Sequence, residues 1–347
     1  MEPSAPGASE SRLCRRRQYF LTPLSTQGSG TAVLGETQSP ISTHYTLLET
    51  LGRGSSGQVW RAKRKEDGRE VALKFMSAPS EEVLASRRTE FEILRQLNHP
   101  NIVQCFDFIS HGHSAVIAMS YHPGSTLLRA VKDSPQSRFS ESVSQRLFRM
   151  LLSAMDYLHQ RRIVHRDVKA ENILVSPDLM DLHLADFNTA KALVDGGSLT
   201  MTGTMEYAAP EVLQGESPSE QHDVWGAGLC LHLMLTGRLP RYASSYHSSD
   251  AFVAAVITNP VTCKGGCWDE ISEKGKQVVS LCLTISKLAR PAAMTLLATS
   301  WLQSKSGCAP TAKRRFPDPE EWTSDDEIEE PRRFVRAATE PCGIGSK

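Results

Sequence analysis

Val164-His165-Arg166-Asp167-Val168-Lys169-Ala170-Glu171-Asn172-Ile173-Leu174 gathers carboxylates, cations and an amide into a few positions ahead of an apolar, strand-like run. Solvated surface loops rarely concentrate such groups. Fourteen residues beyond Asn172 stands Asp186, in Leu184-Ala185-Asp186-Phe187-Asn188. A carboxylate and an amide supply hard oxygen donors of the kind that hold Mg2+ against phosphates, so Asn172 and Asp186 are candidate metal ligands. Asp167 is a candidate base.

N-terminal to this loop, apolar residues alternate over Tyr45 to Val59 and again in Val71-Ala72-Leu73-Lys74-Phe75, with Glu66-Asp67-Gly68 as a turn between them. The pattern predicts three antiparallel strands. Between the first two lies Gly52-Arg53-Gly54-Ser55-Ser56-Gly57-Gln58-Val59. Glycines in such a hairpin let backbone N–H groups approach phosphate oxygens that a Cβ would obstruct. Similar spacings also occur before helices in dinucleotide-binding folds and in hairpins without ligands. Lys74, on the next strand, is placed to reach phosphates held under the glycines. Ser80 with Glu81 and Glu82 predicts a helix start, with Val83, Phe91, Leu94 and Leu97 facing a core and Asn98-His99-Pro100 as the stop. Glu90 and Glu92 on that helix are both candidate ion-pair partners for Lys74.

Strands are expected at Ile102–Phe108 and Ala115–Ser120. The period then becomes helical, through Val143, Leu147, Leu151, Met155 and Leu158. A small sheet-rich half thus precedes a larger helical one. Residues 1 to about 44 and from about 304 to 347 carry no apolar periodicity and read as a flexible leader and a flexible charged tail. In the tail, Lys313-Arg314-Arg315 precedes an acidic run from Asp318 to Glu330.

Lys plus Arg number 39 and Asp plus Glu 39, so the net charge of zero gives no whole-chain case for nucleic acid or an acidic membrane as partner. Eight scattered cysteines do not form a disulfide framework and suit a reducing compartment. The sequence shows no signal peptide or membrane span, and we expect a cytoplasmic or nuclear protein. Cys263-Lys264-Gly265-Gly266-Cys267 and His111-Gly112-His113 lack a second ligand pair at zinc-site spacing and read as loops.

Taken in order, these motifs resemble the eukaryotic-type protein kinases over about residues 45–303. The Gly52–Val59 hairpin is similar to the family's glycine-rich loop, Lys74 to its strand-three lysine, His165-Arg166-Asp167 with Asn172 to its catalytic loop, and Asp186-Phe187-Asn188 to its metal-binding triplet. Ala209-Pro210-Glu211 completes the set. The resemblance implies an α+β fold of two lobes, a small β-rich N-lobe and a larger α-helical C-lobe. It implies ATP and Mg2+ as cofactors. Leu51, Gly52, Arg53, Gly54, Ser55, Ser56, Gly57, Gln58, Val59, Ala72, Lys74, Glu90, Met119 and Leu174 would hold the nucleotide, and Asn172 and Asp186 the metal. Glu90 rather than Glu92 matches the family's spacing before Leu97-Asn98-His99-Pro100 and is expected to pair with Lys74. Asp167 would be the base and Lys169 would steady the transferring phosphoryl group.

Lys169 and Thr204 resemble the serine/threonine branch, which implies protein substrates with Ser or Thr acceptors. Residues 186–211 would form the activation segment, with Ser198, Thr200 and Thr202 open to an upstream activating kinase and Arg166 placed to meet the phosphate. Asp223 and Arg290 resemble structural anchors, Arg290 as the buried partner of Glu211. Lys169–Asn172 and Leu231–Leu235 are similar to kinases that act on other kinases, the NF-κB-inducing kinase among them. Asn188 departs from the family's glycine, although Asn tolerates left-handed backbone. A nucleotide-binding pseudokinase acting as a signalling scaffold is the alternative to an active enzyme.

Overall fold

A short helix, Pro40–His44 (α1), leads into three antiparallel strands, Tyr45–Gly54 (β1), Gly57–Arg64 (β2) and Glu70–Ser77 (β3). The structure, a computed structural model, describes residues 40–54, 57–111, 113–187, 191–192 and 205–304. The anticipated leader therefore gives way to ordered helix at 40–44. Ile41 supplies the reason, since it packs against the buried group of Tyr45, Ala62, Val71, Leu73, Val116 and Ala118. The Glu66-Asp67-Gly68 turn forms as read, with Gly68 N donating to Arg64 O at 2.9 Å and the Asp67 carboxylate gripping the Arg64 guanidinium at 2.9 and 2.5 Å.

The helix predicted from Ser80 spans Glu81–Arg95 (α2), and the Ser80 side chain accepts from Val83 N. Its buried residues, Phe91 and Leu94, meet the face of the sheet opposite to Tyr45. Two further strands, Cys105–His111 (β4) and Ser114–Ser120 (β5), complete a sheet ordered β1-β2-β3-β5-β4. The strand expected from Ile102 starts three residues later because Ile102 is taken by a parallel bridge to Leu184. Val103 N also donates to Leu184 O at 3.0 Å, which ties this approach to the larger lobe.

That lobe begins with Ser125–Thr126 (β6), Leu127–Asp133 (α3) and Glu141–Gln160 (α4). It continues through the short strands Ile163–Val164 (β7), Ile173–Val175 (β8), Leu182–Leu184 (β9) and Lys191–Ala192 (β10). The helices Pro210–Leu213 (α5), Glu220–Thr236 (α6), Ser249–Thr258 (α7), Glu273–Cys282 (α8), Ala293–Leu297 (α9) and Ser300–Gln303 (α10) follow. The helical spacing read in α4 is its core stripe, with Leu147, Leu151, Met155 and Leu158 fully buried. In α6 every residue from Asp223 to Leu235 is buried, as a helix apolar all round requires. This is the two-lobed α+β fold that the motifs implied. Asn188, Ser198, Thr200, Thr202 and Thr204 lie outside the described residues, as do Ser55 and Ser56.

Candidate active site

Register places the small lobe's candidates on one face of the sheet. Val59 stands opposite Lys74, Arg61 opposite Ala72, and Ala72 opposite Met119. Directly opposed residues of an antiparallel pair point to the same face, so Val59, Ala72, Lys74 and Met119 form one roof. At the hairpin, Gly57 has φ +134 and an added Cβ would lie 1.9 Å from Phe75 O, so only glycine fits. An added Cβ at Gly52 would meet nothing within 4 Å, so packing within the protein does not demand glycine there.

The floor comes from the loop between β7 and β8. Asp223, reaching up from α6, accepts from His165 N and Arg166 N, both at 2.8 Å, and bonds His159 Nε2 at 2.9 Å. These bonds hold the loop at Arg166, whose φ is +68, and thereby present Asp167. The His165 ring lies against Phe187, with centroids 4.7 Å apart. His165 accepts from Asp167 N at Nδ1 (3.3 Å), which leaves Nε2 to donate to Ala185 O (3.1 Å). Burial holds this imidazole below its ordinary range, with Asp223 opposing, so it stays neutral.

Around Asp167 the polar groups converge. Lys169 Nζ donates to Asp167 Oδ2 at 2.7 Å, and Asn172 Nδ2 donates to the same oxygen at 2.8 Å and to Asp167 O at 2.9 Å. Asn172 thus spends its amide nitrogen on Asp167. Across the cleft, Lys74 Nζ donates to Asp186 Oδ1 at 2.8 Å, and Asp186 has φ +61. The structure thus joins Asp167, Lys169 and Asn172 in one group and Lys74 with Asp186 in another.

The pairing expected between Lys74 and Glu90 is not made. Glu90 faces inward while Glu92 is exposed, as the spacing implied. Its partner is Arg87 on the same helix, at 3.4 Å, and Glu90 Oε1 is buried with no hydrogen bond among the described residues. Lys74 has a nearer carboxylate in Asp186, and Arg87, one turn before Glu90, competes for the latter. Burial pushes the Glu90 carboxyl up to about 7, against the pull of Arg87 and Lys74.

The anchors are where they were expected. Arg290 Nη1 and Nη2 bind Glu211 at 2.7 and 3.1 Å, both side chains buried. Three features escaped the sequence reading: the His159 bond to Asp223, the competing Arg87, and a stack of His122 on His183 with ring centroids 3.5 Å apart. The Arg87–Glu90 spacing of i, i+3 was open to reading, whereas the histidine contacts are tertiary and leave no local mark.

The family model of the protein kinase domain matches residues 45–302, and the chain belongs to that family. It is 33% identical over 268 residues to the serine/threonine-protein kinase dst1 of Dictyostelium discoideum, spanning 76% of this chain and 35% of that protein. It is 35% identical over 201 residues to the SNF1-like protein kinase ssp2 of Schizosaccharomyces pombe, spanning 56% of this chain and 34% of the relative. The matched region thus covers about a third of the length of these curated relatives.

Proposed function

We propose that the chain transfers the γ-phosphoryl group of ATP to Ser or Thr hydroxyls of protein substrates. The observation that carries this reading is the cluster in which Asp167 Oδ2 receives both Lys169 Nζ and Asn172 Nδ2, facing the Lys74–Asp186 pair across the cleft. The residues fit the nucleotide: the side of Gly52 that a Cβ would fill is open, and Val59, Ala72, Met119 and Leu174 offer apolar contact for a base. They also fit Mg2+, since Asp186 and Asn172 are hard oxygen donors with no sulfur or imidazole among them.

Asp167 would take the proton of the acceptor hydroxyl and hold its oxygen in line. Lys169, already on Asp167, would place positive charge beside the transferring phosphoryl group, and Lys74 would turn from Asp186 to the phosphates. Asp186 and Asn172 would hold Mg2+, which would supply charge neutralisation at the phosphates. Retention of Lys74, Asp167, Asn172 and Asp186 favours turnover over a scaffold role. We assign Ser198, Thr200 and Thr202 as sites for an upstream kinase, with Arg166 as the phosphate's partner. Among the described residues no helix is long and apolar enough to cross a membrane. We infer a cytoplasmic or nuclear location.

The test is phosphate transfer from ATP·Mg2+ to a mixed protein substrate by the full chain and by Asp167→Asn, followed by phosphoamino-acid analysis. Transfer to Ser and Thr that the variant loses supports the reading. No transfer by either protein, including after prior phosphorylation of the activation segment, overturns it.

A further inference from the structure

From Ser120, the last residue of β5, the chain runs through Tyr121-His122-Pro123-Gly124 and links the two lobes beside the roof residue Met119. Ser120 is fixed twice to the approach of β4: its N donates to Gln104 O at 2.8 Å and its Oγ accepts from Gln104 N at 3.0 Å. The same Oγ also shares a hydrogen bond with His122 Nε2, 2.7 Å away. The His122 ring in turn lies on His183, interplanar angle 27°. His183 belongs to β9, where it stands directly opposite Leu174 of β8. Opposed residues share a face, so the ring that carries His122 sits beside the side chain offered as the floor of the adenine slot.

We propose that His183 is a positioning residue for the nucleotide, setting the height of the 119–122 connection above Leu174 through its stack with His122 and the Ser120–Gln104 bonds. This rests on the nucleotide-binding reading above. A continuous chain of contacts runs from the large-lobe floor to the small-lobe strand edge, and adenine would enter between them. Two neutral rings suit the arrangement. Burial, together with the His183 ring, drives His122 down to about 3, and burial lowers His183 against the opposing effects of Asp181 and the Pro100 carbonyl. The stack thus stays uncharged at neutral pH and presents a flat, dry support.

The test compares the full wild-type chain with His183→Ala, His183→Phe and Ser120→Ala, reading ADP affinity by calorimetry and KM for ATP against kcat. Loss of the stack in His183→Ala should weaken ADP binding and raise KM roughly tenfold with kcat nearly unchanged. His183→Phe, which keeps a flat ring, should restore most of the affinity. Ser120→Ala leaves the stack and the Ser120 N to Gln104 O bond but removes the Oγ bonds to Gln104 N and His122 Nε2, and should weaken binding roughly threefold, so the idea stays open to test if His183→Ala does not fold. Unchanged ADP affinity in His183→Ala, a Phe variant no better than Ala, or unchanged affinity in Ser120→Ala overturns the inference alone. Failure of the wild-type chain to bind ADP overturns the nucleotide reading beneath it.

Discussion

The Lys74 ammonium lies 2.8 Å from Asp186 Oδ1, on the carboxylate proposed to hold the metal. Glu90, which could take that ammonium and release Asp186 to a cation, is turned toward Arg87. Each of these side chains is largely buried, so the exchange is between two discrete pairings in a poorly solvated cleft. Nucleotide phosphates would draw Lys74 off Asp186 and make the Glu90 pairing worth more.

Arg87→Ala removes the competitor and leaves Lys74 as the cation nearest to Glu90. A helical pair at this spacing contributes only about 0.2–0.5 kcal/mol, so the rate of phosphate transfer should rise about twofold. Steady-state transfer at subsaturating ATP measures it. A rate equal to or below that of the wild type would show that the Arg87 pair does not restrain Glu90.

The Glu211–Arg290 pair makes a different demand. Arg290 has no exposed side-chain surface, and besides Glu211 it donates to the carbonyls of Gln221, Thr284 and Ile285 while lying over Trp225 at 5.0 Å. Arg290→Leu strands the Glu211 carboxylate in the core, and about 3–5 kcal/mol of stability should go with it. The double variant Glu211→Gln, Arg290→Met has no unpaired charge and should recover part of the loss. Urea midpoints of the full chain report both.

Much of this was written locally. Strand alternation at Tyr45 to Phe75 and the Ser80 cap each depend on near neighbours, and each stands where it was read. Which cation Glu90 meets was not legible, because spacing says which residue turns inward and leaves open which of two cations wins. The offset of β4 has the same origin: Ile102 is as good a strand residue as Cys105, and only the approach of Leu184 takes it away. The His122–His183 stack joins residues that no periodicity relates.

Acid should destabilise the larger lobe through His232. This imidazole is buried in α6, bonds Arg238 O at 2.8 Å through Nδ1 and meets Trp268 edge-on, and burial lowers it from 6.5 to about 4. In the unfolded chain it takes a proton below about 6.5 that the folded protein refuses. Its contribution is therefore complete above that pH and is lost as pH falls through about 4, at up to about 1.4 kcal/mol per pH unit. Glu90, raised to about 7, works the other way, its contribution falling as pH climbs from 4.5 toward 7. His232→Asn, which can still donate to Arg238 O, should make the fall in melting temperature between pH 6.5 and 4.5 shallower; an unchanged slope would assign the acid sensitivity to the other buried imidazoles.

Gly226 tests how far the catalytic loop depends on the helix beneath it. A Cβ built on this α6 residue would lie 2.4 Å from Val168 O and 3.2 Å from Val168 Cβ, and Val168 separates Asp167 from Lys169. The neighbour is backbone and cannot swing aside, so Gly226→Ala must lift the loop or bend the helix, at a cost of about 1–3 kcal/mol. Because Asp223 on the same helix holds His165 N and Arg166 N, the displacement should reach Asp167 itself. A small misplacement of a reacting group costs rate more than binding. The expected result is a drop in kcat of tenfold or more with KM for ATP little changed, since the roof residues Val59, Ala72 and Met119 are untouched. A variant that melts lower yet turns over normally would place the strain in the helix and leave the Asp167 geometry independent of Gly226.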